Sequence, residues 1–393
     1  MAAPTAPTKI QGTCDPRFAR VREVFEGHFA SGDELGAAVC VVHDGRTVVD
    51  LWAGFADAAR TKPWERDALV NVWSTTKGIA AIAAHRLVDE GRLDLDAPVA
   101  SSWPEFAAAG KARIPVRDLL SHRAGLPALR KPVRKTDVLD WHTMTGMLAA
   151  ETPWWEPGTR HGYHALTYGW LVGEVVRRVA GRGIGAYVRE ALCAPLGIEF
   201  EIGFGPALDG RVAELVQGPV ATGESAPALV RALTEEPEGV IAKTFANPPL
   251  LDIGFVNSRA WRAAEIAAAG GHGSAWSLAR LYGALARGGE IDGVRVLRPE
   301  TIDRARAEHS NGLDAVLQMQ TRIGAGFFLP RPEDASWAAN PRAFGHGGAG
   351  GSYSHADPEA RLGFGYTMNL MHTGAWLVDP RPQRLLAAAY ASL

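Results

Sequence analysis

Cysteine is scarce: Cys14, Cys40 and Cys193 are the whole complement of a 393-residue chain. Three scattered thiols cannot form a disulfide framework, and no Cys-x-x-Cys or His/Cys spacing outlines a zinc site. Cys193, between Leu192 and the apolar stretch 194–196, reads as a packed small hydrophobe rather than a nucleophile. An excess of one charge is also missing, because 41 Lys and Arg face 43 Asp and Glu. A net charge of −2 supplies no global field for nucleic acid or an anionic membrane. Apolar runs are short and broken, well below the roughly 18 to 20 residues that span a bilayer. The opening MAAPTAPTKI lacks a basic segment and an apolar core, so residues 1–14 are expected to be a flexible tail rather than a signal peptide, on a cytoplasmic protein. His-Glu-x-x-His, the phosphate-binding G-x-x-x-x-G-K-[ST], a dinucleotide fingerprint and a fixed internal period are absent as well. No metal or cofactor is therefore expected, and partners reduce to small molecules, with a monomer or a homodimer equally compatible.

What is present is a globular composition, 47% hydrophobic and 21% charged, with 44 Gly and 25 Pro that imply many turns. Asp15-Pro16 followed by Phe18, Val21, Val24, Phe25 and Phe29 predicts a capped helix closed by Ser31-Gly32. The runs 36–42 and 46–52 flank Asp44-Gly45 and predict a β-hairpin. Helices are expected from Ser74 to Val88, Val116 to Leu120, Val138 to Ala150, Leu166 to Val179 and Ile184 to Leu192. Strand signals return at Gly324 to Leu329, around Gly351 to His355 and at Leu362 to Leu370, before a closing helix from Pro382 to Ala389. Strands at both ends of a helical middle predict an α/β fold of α+β type. A mixed, largely antiparallel sheet flanked by helices would comprise residues 15–94 and 265–393, and a mostly helical domain 95–264, with the active site at the junction.

Three features carry chemistry. In Ser74-Thr-Thr-Lys77, at a helix start, a spacing of three puts the hydroxyl and the amine on one face. A cap serine followed by a solvated lysine would have the same sequence, but a lysine in the first turn opposes the helix dipole and makes sense if its pKa is depressed. Tyr163, bracketed by His161 and His164 and preceded by Arg160, could act as a phenolate base or simply pack; Tyr168 falls inside the apolar helix and is the poorer base. The run Gly345-His346-Gly347-Gly348-Ala349-Gly350-Gly351-Ser352 permits close main-chain approach and can offer N–H groups to an oxyanion, or be a plain turn. His122 in LLSHRAGL reads as a turn brace. Trp154-Trp155 offers either an aromatic wall for an apolar substrate or core packing. A G-x-S-x-G elbow is missing at Ser74, which argues against a conventional Ser/His/Asp hydrolase.

From about residue 17 to the C-terminus the chain resembles the class C beta-lactamase-like serine hydrolase superfamily, and within it family VIII carboxylesterases. The resemblance rests on Ser74-Thr-Thr-Lys77, Asp118-Leu-Leu-Ser-His-Arg-Ala-Gly-Leu126, Pro157-Gly-Thr-Arg-His-Gly-Tyr163 leading to Gly169-Trp-Leu-Val-Gly173, Ala194-Pro-Leu-Gly197 and His346-Gly-Gly348. It implies Ser74 as the acylated nucleophile, Lys77 as its base or proton relay, and Tyr163 as the Tyr of a Tyr-x-Asn element. His346, Gly347 and Gly348 take the place of a substrate-binding Lys-Thr-Gly element, and the main-chain N–H groups of Ser74 and Ala349 form the oxyanion hole. Two positions depart from the pattern: Ala165 replaces the Asn and His346 the Lys. In lactam-handling members those residues contact the amide and the acidic group. The resemblance therefore implies a serine carboxylesterase for short- to medium-chain esters. The same acyl-enzyme would serve a beta-lactamase, a D-amino peptidase or an acyltransferase, and a catalytically silent penicillin-binding-like module is the non-enzyme alternative.

Overall fold

The computed structural model describes residues 8–220, 232–248, 252–331, 333, 340–373 and 379–393. Its central sheet grows from the expected hairpin, Gly36–His43 with Arg46–Gly54. Asp44 (φ 47°) and Gly45 (φ 81°) both take the left-handed conformation that a two-residue hairpin turn demands. Gly36–His43 is buried along nearly its whole length, which accounts for the unbroken apolar run GAAVCVV. Three strands from the other end of the chain complete the sheet. Leu362–Met368 pairs with Gly36–His43, Tyr353–Asp357 follows, and Phe344–Gly347 forms the far edge, all antiparallel.

Helix Ala275–Ala286 lies directly on this sheet: a Cβ at Gly363 would sit 2.2 Å from the Gly283 nitrogen. Glycine at that strand position lets the helix seat this closely. Helices Ala19–Ala30 and Pro380–Tyr390, both close to their expected bounds, pack on each other.

Several expectations need correction. Gln11–Cys14, assigned to the tail, pairs with Arg46–Gly54 as an edge strand; its mostly exposed residues carry no alternating pattern that would have shown it. Residues 1–7 of that tail lie outside the described residues. Gly324 to Leu329 is no strand. Gly326 adopts φ 98° in a tight bend, and only isolated bridges through Phe328 join it to Ile323 and Gly345. The regular pair there is Ser310–Leu313 with Gln320–Ile323. Asp140 caps Trp141–Ala150 by accepting from Thr143 N–H, so this helix begins after a separate turn, Lys135–Val138. Ile184 to Leu192 divides into Ile184–Val188 and a π-helical turn, Arg189–Cys193.

Thr75–Asp89 and Thr167–Ala180 form as expected, the second closed by Gly181 in the left-handed conformation. The stretch 95–264 also contributes strands. Phe200–Ile202 and Val212–Ala213 join Gly271–Gly273 and Leu69–Asn71 in a second small sheet. Leu69–Asn71 then delivers the chain to the start of helix Thr75–Asp89.

Candidate active site

The connection between that strand and helix is three residues long and strained. Asn71 Oδ1 accepts the Trp73 N–H at 2.9 Å, and Trp73 adopts φ 46°, a conformation costly for a bulky side chain. Ser74 follows at the N-cap, yet its hydroxyl makes no capping bond. It meets Lys77 instead, with Nζ 3.0 Å from Oγ.

Lys77 is fully buried, so the solvated-lysine alternative does not hold. Its Nζ also lies 2.7 Å from the Ala165 carbonyl and 2.9 Å from that of Ala268. Burial pushes its pKa well below the ordinary lysine value. A neutral amine has two N–H bonds and one lone pair. In that neutral form, with both N–H groups donated to carbonyls, the lone pair would face Ser74 Oγ, the arrangement required of a general base.

Tyr163 lies beneath this amine, its ring centroid 4.8 Å from Nζ. Burial drives its phenol above the ordinary tyrosine range; a weak hydrogen-bonding contact with the Ser74 side chain opposes the effect and the charge of Asp314 adds to it. The resting group is thus a neutral phenol rather than a phenolate held by cationic neighbours. Its oxygen makes no full hydrogen bond among the described residues, which leaves it available as a proton relay.

The surrounding histidines are held neutral. His164 Nε2 accepts from Leu126 N–H at 3.0 Å, which fixes the proton on Nδ1, 2.7 Å from the Gly162 carbonyl. His122 Nδ1 accepts the His164 N–H at 3.1 Å, the bracing role its turn predicts, and His161 pairs with Thr321 Oγ1 at 2.8 Å. His346 is buried with Nδ1 2.7 Å from the Gly347 carbonyl, and its ring lies 6.4 Å from that of Tyr163. Burial, with Lys77 nearby, lowers its pKa to about 3. At neutral pH it carries no charge with which to bind an acid group.

The glycine run is laid against the nucleophile's approach. Ser352 Oγ donates to the Val72 carbonyl at 2.7 Å and lies 3.0 Å from Thr75 Oγ1; a Cβ at Gly348 would come within 2.2 Å of that same carbonyl. Gly347 ends the strand, and Gly348 N–H is used within the turn on Ser352. Among the described residues, neither the Ser74 nor the Ala349 N–H donates to a main-chain acceptor.

Trp155 is brought to the site, packed with Tyr163, Val316, Ile323 and Phe328 in one apolar cluster. Trp154 borders that cluster, but its indole N–H is bonded to the Ala128 carbonyl at 2.9 Å and its ring lies under Arg130. Tyr168 is fully buried within its helix. Among the described residues no group of three or more His, Cys, Asp and Glu is placed to hold a metal ion, and no helix is long and apolar enough to cross a membrane.

Sequence reasoning missed Asp314. It is fully buried, and its Oδ1 accepts from the N–H groups of Tyr163 (3.0 Å), Val316 (2.8 Å) and Leu317 (2.8 Å). It holds Tyr163 by the main chain across 151 residues of sequence, and nothing local in 312-GLDAVL signals that. Asp314→Ala leaves two buried donors and one half-buried one without an acceptor, so a loss of about 2–4 kcal/mol in stability is expected by chemical denaturation, with reduced kcat.

The Beta-lactamase family model matches residues 21–389. The Esterase/beta-lactamase LipL of Mycobacterium tuberculosis is 36% identical over 396 residues, covering 96% of this chain and 86% of that protein. A crystal structure of a family VIII carboxylesterase superposes with a TM-score of 0.90 at 42% identity, over 98% of this chain and 100% of that one. A penicillin-binding protein homolog from Caulobacter crescentus superposes with a TM-score of 0.88, also at 42% identity and with the same coverage. A Ser-x-x-Lys pair at a helix start with its lysine buried, on a fold shared over nearly its full length with these proteins, places the chain in the Beta-lactamase family.

Proposed function

We propose that this chain is a serine carboxylesterase that hydrolyses short- to medium-chain esters through an acyl-enzyme on Ser74. The observation that carries the reading is the buried Lys77 amine, with two carbonyls taking its N–H groups and Ser74 Oγ at its lone pair. Lys77 takes the Ser74 proton as Oγ bonds to the ester carbonyl carbon, and the carbonyl electron pair moves onto oxygen. The resulting oxyanion is held by the N–H groups of Ser74 and Ala349. Collapse breaks the bond to the alkoxide, which leaves as alcohol with a proton passed from Lys77 through Tyr163. Water then adds to the acyl-enzyme with the same base, and the acid departs.

The substrate class follows from the two departures. His346 is neutral where a lysine would bind a carboxylate, and Ala165 offers a methyl group where an amide side chain would reach a lactam. Trp155, packed against Tyr163 and Phe328, supplies apolar surface beside the reacting groups. We also propose the division into 15–94 with 265–393 and 95–264, which would have the first part supply Ser74, Lys77 and Ala349 and the second Tyr163, in a cytoplasmic monomer or homodimer.

The relative named as both esterase and beta-lactamase keeps lactam hydrolysis as a second reading. Side-by-side turnover of p-nitrophenyl butyrate and a chromogenic cephalosporin decides between them. The ester is expected to be favoured in kcat/KM by about 100-fold or more, because the lactam's acid group meets a neutral His346 in place of a lysine. Dominant lactam turnover would overturn the substrate assignment and keep the nucleophile. Absence of any covalent Ser74 adduct would point to a silent module.

A further inference from the structure

Arg381 is completely buried, at the start of the last helix, and every one of its donor nitrogens is used. Nε donates to Asp379 Oδ1 at 3.0 Å and Nη1 to Glu34 Oε2 at 3.0 Å and to the carbonyls of Asp33 and Leu370, each at 3.1 Å. Nη2 donates to Asp379 Oδ2 at 2.9 Å and to the Gly350 carbonyl at 2.5 Å. Tyr366 donates its phenol to the other oxygen of Glu34. Gly350 is the residue after Ala349. Gly351 (φ 129°) is seated so closely on the guanidinium that a Cβ there would come within 2.6 Å of Nη2.

The glycine turn is thus held on two sides, by Val72 and Ser352 toward the nucleophile and by Arg381 from behind. A small cavity lined by Gly348, Gly351, Ser352, Asp379 and Gln383 lies beside it, so the turn is not packed on every side. A wholly buried ion-pair cluster is a weak source of net stability, since desolvation offsets most of the attraction. Its placement on this turn suggests another use. We propose that Arg381 is a positioning residue for the oxyanion hole, fixing the Gly348–Gly351 turn so that the Ala349 N–H is aimed at the reacting carbonyl oxygen. The inference rests on the reading of Ala349 as an oxyanion donor.

The test uses the full chain and two probes, p-nitrophenyl butyrate and an alkyl trifluoromethyl ketone that forms a tetrahedral adduct with Ser74. Arg381→Lys keeps the charge and loses the planar fork. It is expected to lower kcat/KM about 10- to 100-fold, with ketone affinity falling by the same factor. Leu385→Ala, which loosens the same helix without touching Arg381, should leave both near wild type at temperatures where it is folded. Reduced stability in Arg381→Lys with unchanged kcat/KM, or equal kinetic losses in Leu385→Ala, would overturn the proposal. If Arg381→Lys does not fold, Glu34→Gln is read by the same criteria, with a smaller expected loss in both quantities; no loss overturns the proposal. Ala349→Pro deletes the N–H itself, and wild-type turnover there would reject the oxyanion reading separately from any role of Arg381.

Discussion

Ser74→Ala is expected to lose ester turnover by about 10,000-fold or more while its melting temperature stays close to that of wild type. The chemical half follows from the loss of the hydroxyl that lies 3.0 Å from the Lys77 amine. The structural half is less ordinary. An N-cap serine usually contributes about 1 kcal/mol by accepting an N–H of the first helical turn. Ser74 makes no such bond, so its hydroxyl can be removed without cost to the helix. A large loss of stability in Ser74→Ala would mean that the hydroxyl has a structural partner besides Lys77. Residual turnover near the wild-type rate would reject it as nucleophile.

Lys77→Met is expected to lower kcat/KM by about 100- to 10,000-fold, the range typical of a deleted general base, and to remove the acid limb of the pH–rate profile. Burial holds the Lys77 pKa far below its value in the unfolded chain. As pH falls through the folded pKa the amine takes a proton, its lone pair is lost and turnover declines. Stability moves in the same direction. Between the folded pKa and the ordinary lysine value the unfolded chain binds the extra proton, so stability rises with pH across that window. Lys77→Met removes this slope. Two opposing effects limit its net change at neutral pH: a desolvated amine is relieved, while the Ala165 and Ala268 carbonyls lose their donor. His122, His164 and His346 are also kept neutral by burial, so persistence of the acid limb in Lys77→Met would assign it to one of them.

The parts of the site legible from sequence were those written in local spacing. Ser74 and Lys77 share a helix face three residues apart, Asp44-Gly45 dictates its hairpin, and the glycine run marks a close main-chain approach. What escaped was carried by contacts between distant segments. Asp314 reaches Tyr163 across 151 residues, and Arg381 joins a turn 31 residues earlier to a carboxylate 347 residues away. The phenolate reading of Tyr163 failed for a related reason. Its neighbours in sequence are basic, but in space it is buried against Trp155 and Phe328, and that burial favours the neutral form even with the Lys77 amine 4.8 Å from its ring. Gln11–Cys14 lacked alternation because an exposed edge strand needs none. Gly324 to Leu329 had strand composition but bends at Gly326.

The central sheet also sets a schedule for biosynthesis. Gly36 N–H donates to the side chain of Asn369, across 333 residues, and the apolar strand that begins at Gly36 has Leu362–Met368 as its neighbour. At usual rates of translation, that neighbour is synthesised roughly 15–60 s after the hairpin. Through that interval the edge of Gly36–His43 is unpaired and exposes one of the most apolar surfaces of the chain. The nascent protein therefore spends most of its synthesis with its hydrophobic sheet unfinished, and folding must end with a long-range closure that brings the C-terminal strands, and with them the glycine turn, onto Ser74.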